Sequence, residues 1–330
     1  MLTTENAIKN TTYEIPSRSF EFDDSRLHGK FDQKLCDRFN VIETWPMSEI
    51  AKYVNSGDPD VPKFLVYKPH RINLVDDVNA LEKAIDIDES LITVIDLPHD
   101  TLIRAVDRNP RLLSYIEDQP DDLCLTAIRS NPLALQYVKN QTYEMCTLAV
   151  KRSAYAIQYV KDQTEELCLL AIRSVPTTIG IIHNQTMTVC KEAISRNPYL
   201  IWFIKDQTDE LSMMAVNING MALSKVRNKT FEVCEAAVKN VPNAIEFVPK
   251  HLHGYDKLAA MAVSLDPDCI RLIPKTLQTE QMAYDAICGN AEDIMWISKD
   301  CLTKKVVSKC LELYDEMPEV LGDFAHIVDK

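Results

Sequence analysis

The chain has 330 residues, 46% of them hydrophobic, with only 7 glycines and a formal net charge of −13. So few glycines argue against an all-β protein rich in tight turns and against phosphate-cradling loops; neither GxGxxG nor GxxxxGK[ST] occurs. A net acidic chain repels nucleic-acid phosphates and anionic membranes, because non-specific affinity for either comes from Lys and Arg.

The opening MLTTENAIKNTTYEI has no basic stretch followed by an apolar one, so no signal peptide is expected. No run approaches the ~18 apolar residues of a bilayer span, and the closing HIVDK carries no lipidation signal. The expected setting is cytoplasmic, with the 10 cysteines reduced. Residues 1–35 are polar without a sustained period and predict a partly ordered tail. Residues 36–76 predict a small capping region. It holds Trp45-Pro46, the helix-like SEIAKYV, and PKFLVYKP, which reads as a short strand or extended segment between Pro62 and Pro69.

From residue 77 to 330 the chain repeats itself. Segments starting at Gln119, Gln141, Gln163, Gln185, Gln207 and Lys229 align at 22-residue spacing without a gap. The first reads QPDDLCLTAIRSNPLALQYVKN and the third QTEELCLLAIRSVPTTIGIIHN. Weaker copies around Ala84 and Ala105, and after residue 250, bring the total to about eleven units by the logic of stacked repeats.

Each unit predicts two short helices. The first starts after Thr142, Thr164, Thr186, Thr208 or Thr230, whose hydroxyls can accept a first-turn N–H. The Asn-x-Thr motifs there therefore read as helix caps and not as glycosylation sites. Pro132, Pro176, Pro198 or Pro242 then ends the first helix and suits the start of the second. Apolar columns predict the core: Leu123, Met145, Leu167, Val189, Leu211 and Val233; alanines from Ala127 to Ala237; Leu135 to Ile245; and Val138 to Val248. The architecture expected is an all-α solenoid with a small N-terminal cap, since a solenoid needs its terminal apolar face covered.

The motif T-x-E-L-C-L-x-A-[IV]-x-x-x-P-x-x-[IL]-x-x-[IV]-K-[ND]-Q resembles the short α-helical repeats of giant amoeba-infecting DNA viruses such as the mimiviruses. That family is known only as a domain of unknown function. The resemblance covers about residues 98–300 and implies a viral protein acting in the host cytoplasm or the virion. Ser212 and Gly220 depart from the motif, so the fifth aligned unit is expected to be looser or bent.

Cys124, Cys146, Cys168, Cys190 and Cys234 share one column. Packed helices lie ~8–10 Å apart, too far for one zinc with Zn–S near ~2.3 Å or for a disulfide with Cα atoms within ~7 Å. They read as small buried fillers. His251-Leu-His253 reads as a loop, and Cys36 has no histidine near it in sequence. No GxSxG or HExxH occurs. Hence no catalytic residue, metal or cofactor is expected.

The surface columns carry more. Gln136, Gln158, Gly180, Trp202, Ser224 and Glu246 share a position that is polar except at Trp202, which makes Trp202 a candidate binding anchor. Lys139, Lys161, His183, Lys205 and Arg227 follow near the end of the second helix, where cations suit the helix dipole. The candidate partner-binding residues are Trp202, Gln136, Gln158, Lys139, Lys161, Lys205 and Arg227. The function expected is a non-enzymatic scaffold or adaptor for a protein partner, with self-association as a variant. The alternative is a nucleic-acid, translation or replication accessory factor whose N-terminal region is active and whose repeats position it.

Overall fold

The structure is a computed structural model that describes residues 31–313 except Asp96. The expected polar tail, apart from residues 31–35, and the end of the last repeat lie outside the described residues. The chain divides into two compact units, one ending at Thr101 and the other starting at Leu102.

The first unit contains α1 (Gln33–Glu43), α2 (Met47–Val54), α3 (Val61–Tyr67) and α4 (Val78–Ile87), with 3₁₀ helices at Pro69–Leu74 and Glu89–Thr93. The expected strand is a correction: the PKFLVYKP segment is helical, and no strand occurs among the described residues. Pro62 sits in the first turn of α3, where a missing N–H costs nothing. Val61, Phe64 and Leu65 then fall on one buried face. Lys68 N–H bonds to the Phe64 carbonyl, as Asn131 N–H bonds to that of Ala127. Phe64 therefore holds the alanine position of a shortened repeat. It needs the extra room because it packs edge-on against Phe39 and Tyr53, each with ring centroids 5.5 Å away.

The α5 helix (His99–Arg108) crosses the division between the units. In the second unit, α6 (Asp121–Ser130), α7 (Tyr143–Arg152), α8 (Glu165–Ser174), α9 (Met187–Arg196), α10 (Asp209–Ile218) and α11 (Phe231–Asn240) recur every 22 residues. They are followed by α12 (Tyr255–Leu265), α13 (Glu280–Gly289) and α14 (Lys304–Leu313). Successive units stack as an α-solenoid. The threonine caps form as the sequence predicts, each accepting the N–H three residues on, from 3.2 Å at Thr142 to 3.4 Å at Thr230. The alanine column and both apolar columns of the second helix are buried throughout.

The second helix of each unit is a 3₁₀ helix of five or six residues, such as Pro132–Tyr137. So short an element gains too few i→i−4 bonds to form an α-helix, and the tighter i→i−3 bonds serve instead. Asn131, Asn197 and Asn219 cap these helices, each side chain accepting an N–H two residues on. The fifth aligned unit is not looser, which corrects that expectation. Both of its helices keep the common length. Gly220 lets the backbones approach so closely that a Cβ there would lie 2.3 Å from the Ala237 carbonyl oxygen.

Candidate partner-binding surface

The 3₁₀ helices line one face of the second unit, and a column of glutamines joins them. Gln141 donates to Leu135 O at 3.1 Å and to Tyr159 O at 2.8 Å, and its Oε1 accepts the Lys161 N–H at 2.9 Å. It thus staples the 3₁₀ helix Pro132–Tyr137 to Ala154–Tyr159. Gln119, Gln185, Gln207 and Gln278 repeat the arrangement, and Gln163 keeps one donation, to Ile157 O, and the accepted His183 N–H. An amide suits this place because it carries both donors and an acceptor. Sequence reasoning used these glutamines only to mark where units begin, although their 22-residue recurrence was the available signal.

The cations beside them are also engaged with the backbone. Lys139 Nζ donates to Glu117 O at 3.1 Å, Lys161 Nζ to Lys139 O at 2.5 Å, and Lys205 Nζ to His183 O at 3.2 Å. Arg227 bonds Lys205 O at 3.0 Å and Trp202 O at 3.3 Å. Each reaches one unit back. The column therefore does more than complement a helix dipole: it binds an otherwise open carbonyl of the preceding unit. The α-helices add ion pairs between units, as with Lys191 and Glu210 or Arg173 and Glu192. Gln136 and Gln158 are exposed, and each donates to a carbonyl in its own 3₁₀ helix at 3.1 Å.

Trp202 is 54% exposed and Phe203, which sequence reasoning missed, 46%. Lys225 of the next unit sets its Nζ 5.7 Å from the Trp202 ring centre. On the other side Phe203 lies over Gly180, where a Cβ would meet its ring at 3.1 Å. Gly180 thus leaves the space that Phe203 occupies. The same two columns expose Met295 and Trp296. The neighbouring Tyr137, Tyr159 and Phe247 in Phe203's column are half-buried, so residue type alone did not single Phe203 out.

The cysteine column is buried and its thiols are free. Burial pushes the Cys124, Cys168 and Cys234 thiols up to about 11, and raises those of Cys146 and Cys190. Thiolate chemistry at neutral pH is thereby suppressed. Among the described residues no group of three His, Cys, Asp or Glu side chains is placed to hold a metal ion. Nor is any described helix long and apolar enough to cross a membrane. Compared with known protein families, curated proteins and solved structures, the chain matches none. The fold defines it as an α-solenoid of tandem helical repeats.

Proposed function

We propose that this solenoid is a non-enzymatic protein-binding scaffold whose partner anchors on Trp202 and Phe203. The observation that carries the reading is the exposure of these adjacent rings, with Trp202 at a position where the other five gap-free units place Gln, Gln, Gly, Ser and Glu. Large rigid aromatics flanked by cations are the side chains that dominate protein interfaces. Lys205, Lys225 and Arg227 lie within the same two units. The reading that the scaffold works in an infected cell's cytoplasm or in a virion rests on the repeat-motif resemblance.

Affinity capture from the native cytoplasm tests this, with wild-type chain compared with Trp202→Ala/Phe203→Ser. A stoichiometric protein lost only by the variant, with its melting temperature unchanged, is the expected result. Recovery of no stoichiometric protein, or equal recovery by both chains, would count against the scaffold and the anchor respectively. Light scattering on the purified chain separates self-association from capture of a different protein.

A further inference from the structure

The glutamine staples are interrupted at one place. At the sixth aligned position Lys229 replaces glutamine, and one unit on, where the 22-residue register would put His251, Lys250 reaches the carbonyl that a glutamine would bond. An ammonium donates but cannot accept. Where Gln207 bonds Ile201 O, Lys225 O and the Arg227 N–H, Lys229 bonds Phe247 O alone, at 3.0 Å. Lys250 bonds Ile245 O at 3.3 Å and otherwise turns to the Tyr255 hydroxyl at 2.9 Å. Neither lysine bridges two successive 3₁₀ helices.

The missing acceptors leave no stranded donor. The N–H that would bond position 229 belongs to residue 249, which is proline; the equivalent residue one unit on is Pro274. Donor and acceptor have been removed together at both junctions, which is the inexpensive way to delete a buried hydrogen bond. The repeat spacing changes at the same place. The α-helices start every 22 residues up to Phe231, and the next begins at Tyr255 after an inserted turn ending at Gly254. Gly254 has a φ of +86°.

We infer that the solenoid has one built-in compliant joint, centred on the 3₁₀ helix Pro242–Phe247. This helix is unstapled to Gly220–Lys225 before it and to Pro267–Leu272 after it. Stapling resumes at Gln278, which joins Pro267–Leu272 to Ala291–Trp296. The apolar core runs through the joint unbroken, since Ala244, Ile245 and Val248 are buried. Apolar contact holds the layers together but is non-directional, so it permits sliding that hydrogen bonds would forbid. Two ties persist: Cys269 Sγ donates to Asn243 Oδ1 at 3.0 Å, at the start of Pro242–Phe247, and Asn240 accepts the Gly220 N–H at 2.7 Å and donates to Asn217 O at 3.0 Å. Both lie at the starts of 3₁₀ helices, at Gly220 in one and at Asn243 in the next. The far ends of Gly220–Lys225 and Pro242–Phe247 are therefore the ones that part.

Native-state hydrogen exchange at single-residue resolution tests the joint in the full chain. The Val248 and Ile204 amides make equivalent bonds, to Ile245 O at 3.2 Å and to Ile201 O at 3.1 Å. Val248 is expected to exchange about tenfold faster, the opening expected when a flanking hydrogen bond is missing on each side. Lys229→Gln/Pro249→Lys should slow Val248 about fivefold by restoring one staple. The reverse change, Gln185→Lys/Lys205→Pro, should speed Ile204 similarly and decides the matter if the first variant does not fold. Equal exchange at Val248 and Ile204 in the wild type overturns the joint. Fast exchange at Val248 that neither variant transfers or corrects overturns its assignment to the missing staples.

Discussion

Gln185 and Lys205 stand 20 residues apart, and the Gln185 side-chain oxygen accepts the Lys205 backbone N–H at 2.8 Å. The same side chain donates to Ile179 O at 2.9 Å and Phe203 O at 3.1 Å. One amide thus satisfies three backbone groups that the short 3₁₀ helices leave open. It also holds Phe203, half of the proposed anchor, in register with the preceding unit.

Truncating such a staple should be costly. Gln163 is buried, with bonds to Ile157 O and the His183 N–H. Gln163→Ala is expected to lower stability by about 1–3 kcal/mol, the usual cost of orphaned buried polar groups. Lys229→Ala should lose less, because Lys229 makes one bond. Urea unfolding midpoints of the two variants check the order.

Ser212 stands in the cysteine column, buried, and its hydroxyl has no hydrogen-bond partner. Ser212→Cys replaces a stranded polar group with the column's own apolar filler. It should raise stability by about 1 kcal/mol, read as a higher melting temperature. No gain would mean that the hydroxyl is satisfied in solution.

Gly220 should tolerate no side chain. A Cβ would sit 2.3 Å from the Ala237 oxygen and 3.0 Å from the Val241 Cβ. Gly220→Ala is expected to destabilise by about 1–3 kcal/mol through overpacking, even though Ala154 occupies the same column three units earlier, where it is buried. Thermal melts of the variant test this.

Thiol reactivity should sort by burial. Cys288 is exposed and Cys36 partly so, whereas the other cysteines are buried, and burial pushes Cys269 up to about 12. With a thiol-specific reagent at neutral pH, Cys288 should react first. The column should react only as fast as the chain opens, with the labelled sites read by peptide mapping.

Asp293 is 0% exposed in a column where earlier units place Ala134, Ala156, Ala222 and Ala244. Arg271 of the preceding unit bonds one carboxylate oxygen at 2.6 and 2.7 Å, and the other oxygen has no hydrogen-bond partner. Burial raises the carboxyl pKa, against the pull of Arg271. The folded state therefore binds this proton more tightly than the unfolded one. This group's contribution to stability should fall as pH rises from the ordinary carboxylate value of 3.8 through the raised value. Asp293→Ala should remove that pH dependence. At neutral pH it should stabilise by about 1 kcal/mol, since the freed Arg271 is already partly in solvent. Unfolding midpoints across that pH range give the comparison.

The sequence by itself determined the repeat, its caps and its core. A 22-residue period, threonines before each α-helix, prolines after it and alanines between are local requirements, and each is visible along the chain. Stacking then follows, because helices this short must bury their apolar faces on copies of themselves. Tertiary structure alone decided what the polar columns do. Gln141 reads as a unit boundary until the neighbouring 3₁₀ helices come within reach of its amide. Lys139 reads as a cation complementing a helix dipole until the carbonyl of Glu117 appears beside it. Phe64 reads as part of a strand until the aromatic cluster shows why a phenyl ring fills an alanine position. Trp202 stood out by type, but Phe203 beside it did not, and the room for the Phe203 ring comes from Gly180 one unit back. Burial patterns are periodic along one chain, whereas hydrogen bonds between units depend on distances that exist only once the units have stacked.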